Sequence, residues 1–212
     1  MINNKCKILV INSGMGNIGS LINALIFLDF DVHQMDKFDG NESLNFDGFI
    51  LPGVGSFPSG IRKMKEAKLD QLVLKLIDKE VAGIGICLGM QLLADYSLEG
   101  NIKSQGLSIF SGSVEKLVPS KKDKVPHIGW TETQLKKFEE PWQNILNNAF
   151  YYVHSYAVRP KIREENLATI SHSGKNITSA IYKNKILGVQ FHPEKSQQQG
   201  LRLLNEFFLF HA

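Results

Sequence analysis

The sequence predicts an α/β fold: a single three-layer domain in which helices cover both faces of a mixed, mostly parallel sheet. The first half alternates short apolar runs, such as 8–11 and 48–51, with amphipathic stretches of helical period. Strands that alternate with helices in this way form parallel sheets buried on both faces. The second half changes to short strands separated by polar turns, which we expect to extend the same sheet or pack against it. One domain over residues 1–212 is the simplest organisation.

Each predicted element follows from the local spacing of apolar residues. Runs of four to six residues rich in Val, Ile and Phe indicate strands, and apolar residues three and four apart indicate helices. In the first half, strands are predicted at 8–11, 32–34, 48–51 and 81–86, and helices at 18–29, 57–79 and 90–94. In the second half, strands are predicted at 114–117, 129–134, 150–154, 168–172, 176–182 and 186–190, and a closing helix at 202–210.

Composition excludes several classes of function. The chain has 212 residues, of which 43% are hydrophobic and 21% charged, and its formal net charge of +3 is too small to indicate nucleic-acid or membrane binding. The two cysteines, Cys6 and Cys87, match no disulfide framework or metal-ligand spacing, so we expect no metal and no cofactor. No apolar run reaches the roughly 20 residues that cross a bilayer, and no signal peptide is recognisable. We therefore expect a cytoplasmic protein.

The segment Gly-Ile-Cys-Leu-Gly, residues 85–89, is the most informative feature of the chain. It lies between a predicted strand and a predicted helix and places Cys87 at the apex of the turn. A nucleophile in such a turn has strained backbone, and flanking glycines let the strand and helix approach closely. Most lone cysteines are small buried hydrophobic residues, so this motif needs support from elsewhere in the chain.

That support comes from the segment Gly-Val-Gln-Phe-His-Pro-Glu, residues 188–194. A cysteine nucleophile needs a base, and the base needs a third group that fixes its tautomer. His192 and Glu194 supply both, separated by a proline that restricts the backbone between them. Together with the predicted turn at Cys87, they indicate a Cys-His-Glu triad.

A third segment, Pro-Gly-Val-Gly at residues 52–55, follows another apolar strand. Its glycines give the backbone freedom to direct N–H groups toward a developing oxyanion. An ordinary turn after a buried strand would have the same composition, so this interpretation depends on the triad.

In this order and at these spacings, the segments resemble the triad-type (class I) glutamine amidotransferases, a family with a flavodoxin-like fold. More narrowly, the chain is similar to the glutaminase subunits of imidazole glycerol phosphate synthases of histidine biosynthesis. The Gly-Met-Gly-Asn at 14–17, the Pro-His-Ile-Gly-Trp at 126–130 and the Glu-Lys-Ser at 194–196 carry the narrower resemblance. The similarity covers essentially the whole chain.

The resemblance implies hydrolysis of the glutamine side-chain amide and assigns a role to each site residue. Cys87 is the nucleophile, His192 the acid and base, and Glu194 its partner. The oxyanion is held by the N–H of Leu88 and by an N–H of the segment Gly53, Val54 and Gly55, which is expected to flip when the enzyme is activated. The glutamine is bound by Gln91, Glu99, Ser155 and Tyr156.

The family also implies a partner: a heterodimer with a (β/α)₈ cyclase, which receives the ammonia. Asn17, Trp130 and Lys195 match positions that face this cyclase. Three residues near the same side depart from the usual pattern, namely Ser13, Gly19 and Thr131. A paralogous amidotransferase that supplies another synthase, for example for sugar amination, would keep the triad and differ at such positions.

Three further interpretations stay open. A free-standing cysteine hydrolase would keep Cys87 and His192 and need no partner. A pseudoenzyme that only regulates a synthase is disfavoured by the intact triad. The glutaminase of pyridoxal phosphate synthesis has the same triad and another barrel partner, but the motifs at 14–17 and 126–130 favour the histidine-type relatives.

Overall fold

The computed structural model describes residues 5–136 and 141–212, which form a mixed α/β structure. Its main sheet has eight strands in the order β2-β1-β3-β4-β14-β13-β12-β9. In the first half of the chain the elements are β1 (Lys7–Ile11), α1 (Gly19–Phe27), β2 (Asp31–Met35), β3 (Gly48–Leu51), α2 (Phe57–Glu66), α3 (Leu69–Asp78), β4 (Ala82–Ile86), α4 (Leu88–Leu92), β5 (Ala94–Ser97) and β6 (Ser104–Gln105).

The second half is mostly strand, as its pattern predicts. Its elements are β7 (Phe110–Lys116), β8 (His127–Glu132), β9 (Gln134–Leu135), β10 (Ala149–His154), β11 (Tyr156–Pro160), β12 (Asn166–His172), β13 (Lys175–Lys183), β14 (Ile186–Val189) and α5 (Gln197–His211). Strands β11, β7, β5 and β6 form a second sheet, and β10 pairs with β8. Within the described ranges, no helix is long and apolar enough to cross a membrane.

The main sheet is parallel where the chain alternates strands and helices and antiparallel where it does not. Strands β2, β1, β3, β4 and β14 run parallel to their neighbours. The remaining pairings, β14 with β13, β13 with β12 and β12 with β9, are antiparallel. The prediction of a mixed, mostly parallel α/β sheet is therefore confirmed, and the second half contributes both to this sheet and to smaller ones.

Helices bury both faces of this sheet because successive side chains of a strand point to opposite sides. On β1, Ile8 and Val10 belong to one apolar cluster, which includes residues of α1 and α5. Leu9 and Ile11 belong to the other, which includes residues of α2, α3 and α4. The continuous burial of β1, β3 and β4 follows from this three-layer arrangement.

Three details of the predicted elements are wrong. The strand expected over 129–134 is divided between β8 and β9, which belong to different sheets. The single helix expected over 57–79 is two helices, because Lys68 adopts a left-handed backbone conformation with φ of 55° between α2 and α3. The helix expected through Ala94 ends earlier, since Ala94 begins strand β5. The strands β5 and β11 were not predicted, as each is short and pairs with β7, far away in the sequence.

Candidate active site

Three loops meet at one edge of the main sheet because three neighbouring strands run parallel. Strands β3, β4 and β14 are adjacent, and their carboxyl ends lie at the same edge. The loop after β3 carries the segment 52–55, that after β4 carries Cys87, and that after β14 carries His192. Open α/β sheets bind ligands at this edge. The topology thus brings together segments more than a hundred residues apart.

Cys87 lies in a strained turn between β4 and α4. Its backbone angles are φ 53° and ψ −108°, which an L-residue rarely adopts. The flanking glycines are required by close packing: a Cβ on Gly89 would lie 1.8 Å from the carbonyl oxygen of Leu51, and one on Gly85 would lie 2.9 Å from the backbone nitrogen of Met90. A strained backbone held by packing on both sides is typical of a nucleophile elbow.

His192 and Glu194 form a directly bonded pair. Nδ1 of His192 is 2.8 Å from Oε1 of Glu194, and the imidazole is almost fully buried. Burial alone lowers the pKa of His192, but interactions with Cys87 and Glu194 outweigh it and raise the pKa to about 9. Nδ1 is engaged by the carboxylate, whereas Nε2 is buried and has no hydrogen-bond partner among the described residues, which leaves Nε2 available for proton transfer.

Two of the N–H groups in the predicted oxyanion site, those of Leu88 and Val54, are engaged within the protein. The N–H of Leu88 donates to the carbonyl oxygen of Gly53 over 3.2 Å, and the N–H of Val54 donates to the carbonyl oxygen of Met15 over 3.0 Å. Gly55 has a φ of 110°, which favours glycine. In this conformation the N–H groups of Leu88 and Val54 are therefore not available to an oxyanion.

A cavity of about 320 Å³ opens next to Cys87. Its lining includes the four side chains predicted to bind glutamine, namely Gln91, Glu99, Ser155 and Tyr156, together with Val54, Gly55 and Leu88. A larger cavity of about 730 Å³, near Arg159 and Asn166, includes none of the predicted site residues. The smaller cavity is the candidate substrate site because Cys87, the predicted nucleophile, lines it.

Two of the predicted substrate residues also have structural contacts. The side-chain nitrogen of Gln91 donates to the carbonyl oxygen of Tyr156 over 2.8 Å, so Gln91 is a buried residue and not a solvated one. Oε2 of Glu99 accepts a hydrogen bond from the backbone N–H of Phe57 over 2.7 Å. Glu99 thereby caps the N-terminus of α2, directly after the segment predicted to form the oxyanion site.

The residues predicted to face a partner lie on the same side of the molecule as the triad. Trp130 on β8 is 48% exposed and packs edge-on against Tyr151 of β10, with ring centroids 6.2 Å apart. Nζ of Lys195 lies 6.0 Å from the centroid of the same Tyr151 ring. Asn17 is exposed, and a cavity of about 30 Å³ includes Asn17 together with His192 and Glu194 in its lining.

Sequence reasoning missed two residues of this region. Tyr151 joins Trp130 to Lys195, and Gln190 places its side-chain nitrogen 3.7 Å from Sγ of Cys87. The sequence signal for Gln190 was its place two residues before His192, at the end of the strand predicted over 186–190. In the part of the chain that the structure describes, no cluster of His, Cys, Asp and Glu could hold a metal ion.

Comparison with known proteins agrees with this geometry. The model of the family described as glutamine amidotransferase class-I matches residues 9–210, and the chain belongs to this family. Two curated relatives are each 39% identical. One is the imidazole glycerol phosphate synthase subunit HisH of Caldanaerobacter subterraneus, aligned over 93% of this chain and 95% of the relative. The other is subunit HisH 2 of Methanococcus maripaludis, aligned over 94% and 98%.

Solved structures with low sequence identity share the fold. PurLQS from Thermotoga maritima is 15% identical, with a TM-score of 0.71 over 98% of this chain and 100% of that chain. A glutamine amidotransferase from the same organism is 18% identical, with a TM-score of 0.67 over 93% of this chain and 80% of that chain. These similarities establish the architecture alone.

Proposed function

We propose that this chain is the glutaminase subunit of an imidazole glycerol phosphate synthase. It hydrolyses glutamine to glutamate and ammonia and passes the ammonia to a (β/α)₈ cyclase that makes imidazole glycerol phosphate in histidine biosynthesis. The observation that carries the proposal is the bonded pair of His192 and Glu194 next to Cys87, which lines the candidate substrate cavity, in a chain whose curated relatives are HisH subunits. We place this one-domain enzyme, residues 1–212, in the cytoplasm.

The chemistry follows from the position of each group. Sγ of Cys87 attacks the carboxamide carbon of glutamine and forms a tetrahedral intermediate. His192, whose pKa is raised, holds the proton taken from the Cys87 thiol, gives it from Nε2 to the amide nitrogen, which leaves as ammonia, and then removes a proton from water. Glu194 holds the imidazole through Nδ1 and stabilises its positive charge. Water releases glutamate from the thioester.

Oxyanion stabilisation requires a change in one peptide unit. The carbonyl of Gly53 and the N–H of Val54 belong to the same peptide unit. In this conformation the carbonyl accepts a hydrogen bond from the N–H of Leu88. Rotation of this peptide unit by about half a turn would free the N–H of Leu88. It would also turn the N–H of Val54 toward the position of the oxyanion, so that both groups could donate to it. Glycine at position 53 lowers the conformational cost of the rotation. We expect low activity until a partner stabilises the rotated form.

The partner surface is proposed to consist of Asn17, Trp130, Tyr151 and Lys195. An exposed aromatic pair beside a cation is a typical centre of a protein interface. Asn17 also lines the small cavity next to His192 and Glu194, and Val54 lines both this cavity and the substrate cavity. We propose that ammonia leaves the triad on this side, toward the cyclase.

The test is glutamate release from glutamine by the purified chain, measured alone and with the imidazole-forming cyclase of the same cell and that cyclase's nucleotide ligand. Strong stimulation by the pair is expected. Activity that stays low with this cyclase would assign the protein to another synthase, such as one that aminates a sugar. High activity of the chain alone would indicate a free-standing hydrolase.

A further inference from the structure

Gln190 is a fully buried polar residue whose side chain reaches the nucleophile. It directly follows β14, and its Nε2 lies 3.7 Å from Sγ of Cys87. Its Oε1 accepts a hydrogen bond from Nε2 of Gln91 over 2.9 Å. A buried amide of this kind is expected to use both its donor and its acceptor. The orientation of the amide therefore decides whether its NH₂ group or its oxygen faces Sγ of Cys87.

A single backbone carbonyl fixes that orientation. The oxygen of Tyr156 accepts from the side chain of Gln91 over 2.8 Å. A carbonyl oxygen cannot donate, so the NH₂ end of Gln91 must face it, and the second hydrogen of that nitrogen points to Gln190. The side-chain oxygen of Gln190 must therefore accept from Gln91, so the NH₂ group of Gln190 faces the sulfur. Reversal of the Gln91 amide would place its oxygen against the carbonyl oxygen of Tyr156, and reversal of the Gln190 amide would place two NH₂ groups against each other.

The carbonyl oxygen of Tyr156 is also bonded to His154, which is in turn bonded to His127. Nδ1 of His154 is 2.9 Å from the oxygen of Tyr156, so this nitrogen carries the hydrogen. Nε2 of His154 is then the acceptor for Nδ1 of His127 over 3.0 Å, and Nε2 of His127 accepts from the hydroxyl of Thr131 over 2.9 Å. Burial lowers the pKa of His154 to about 3, which agrees with a neutral imidazole.

We propose that Gln190 is a catalytic residue that donates an N–H hydrogen bond to the sulfur of Cys87, and that His154 is a positioning residue for the Tyr156 carbonyl that orients it. The donor stabilises the thiolate of Cys87 before it attacks the amide, and stabilises it again when the thiolate leaves as the thioester is hydrolysed. The inference deepens the proposed glutaminase chemistry and rests on it. It adds a function for His127 and for His154 and Tyr156, the last two of which line the substrate cavity.

The first test is the rate at which iodoacetamide alkylates Cys87, followed by mass spectrometry of its peptide, at a pH below the midpoint of the pH–rate profile, where the rate follows the fraction of thiolate. Gln190→Met keeps the length of the side chain but removes the donor, and we expect alkylation to slow about tenfold, the loss of one hydrogen bond to a charged group. Gln198→Met, the same change at an exposed position of α5, should leave the rate unchanged. Cys6 provides an internal reference in every sample.

Gln190→Leu, a second apolar side chain of similar size, also removes the donor, and its alkylation should slow as in Gln190→Met. Circular dichroism shows whether each variant is folded. A wild-type rate in a folded variant of either kind would overturn the proposal. The assay uses neither glutamine nor cyclase, so failure of the partner assignment does not affect it.

The second test separates positioning by His154 from a purely structural role. In His154→Asn the amide nitrogen takes the place of Nδ1 and can still donate to Tyr156, whereas in His154→Leu nothing can. We expect His154→Leu to lower the alkylation rate and the glutaminase kcat by about fivefold or more, and His154→Asn to restore both to within about twofold. Equal loss in the two variants, or a protonated Nε2 on His154 in imidazole ¹⁵N spectra of the wild type, would contradict this role.

Discussion

The amide N–H of Leu88 donates to the carbonyl oxygen of Gly53 over 3.2 Å, so the predicted oxyanion site is filled by the protein's own backbone. The neighbouring N–H of Val54 is engaged by Met15 in the loop that also carries Asn17. A loop on the proposed partner surface is thereby bonded directly to the peptide that must rotate. This arrangement gives a physical route by which docking of the cyclase could activate glutamine hydrolysis.

The first prediction concerns the N–H of Val54. Val54→Pro removes the only hydrogen that this peptide could direct to the oxyanion, and Val54→Ala keeps it. We expect Val54→Pro to lower the stimulated glutaminase kcat by about 100-fold, as for loss of one oxyanion donor. Val54→Ala should stay within about fivefold of the wild type. Steady-state kinetics of the complex would measure both, and equal activity of the two variants would exclude Val54 as the donor.

The second prediction concerns the nucleophile. Cys87→Ser should abolish synthesis that depends on glutamine and leave synthesis from added ammonium salts intact in the assembled complex, because the cyclase needs only ammonia. The measurement is product formation with each nitrogen source in turn. Loss of both activities would mean that Cys87 has a structural role or that the partner is wrong.

The third prediction concerns the packing of the elbow. A Cβ on Gly89 would lie 1.8 Å from the carbonyl oxygen of Leu51, so Gly89→Ala must displace α4 from β3. We expect a loss of about 3 kcal/mol in the free energy of unfolding, together with the loss of glutaminase activity. Gly174→Ala is the control: its φ is 70° but its Cβ would meet nothing within 4 Å, so only about 1 kcal/mol should be lost. Urea denaturation measures both.

The fourth prediction concerns pH. The pKa of His192 is about 9 in the folded protein against an ordinary value of 6.5, so protonated His192 stabilises the fold. Its contribution is complete below pH 6.5 and is lost as the pH rises through about 9. As the pH rises between these limits, the free energy of unfolding of the wild type should fall by on the order of 2 kcal/mol more than that of His192→Gln. Urea titrations at a series of pH values give the free energy of unfolding of each protein. The same dependence on pH in both proteins would contradict the raised pKa.

The fifth prediction concerns the partner surface. Trp130→Ala should weaken binding of the cyclase by about tenfold or more, because exposed aromatic residues at the centre of an interface contribute most of its affinity. Leu98→Ala removes a residue of similar exposure away from this cluster and should leave the affinity unchanged. Calorimetric titration with the cyclase gives both values. Unchanged affinity in Trp130→Ala would place the interface elsewhere.

Much of the fold could be predicted from local pattern. The strands at 8–11, 48–51 and 81–86 are short apolar runs between helical periods, and their parallel order follows from alternation of strands and helices. The break at Lys68 and the strand at Ala94 could not be predicted in this way. The first is a single left-handed residue inside a helical period, and the second is a strand defined by its pairing with β7, which is distant in sequence.

The sequence by itself determined the family, the reaction class and the residue types of the site. Cys87, His192 and Glu194 stand in short local motifs, and the chemistry of each motif can be predicted from its own few residues. Only the tertiary structure decided that Gln190 meets the sulfur, that Tyr151 joins Trp130 to Lys195, and that Gly53 closes on Leu88. These contacts join different strands and loops. Their geometry is set by strand order and register, and hydrogen bonds of this length depend on positions that no local pattern encodes.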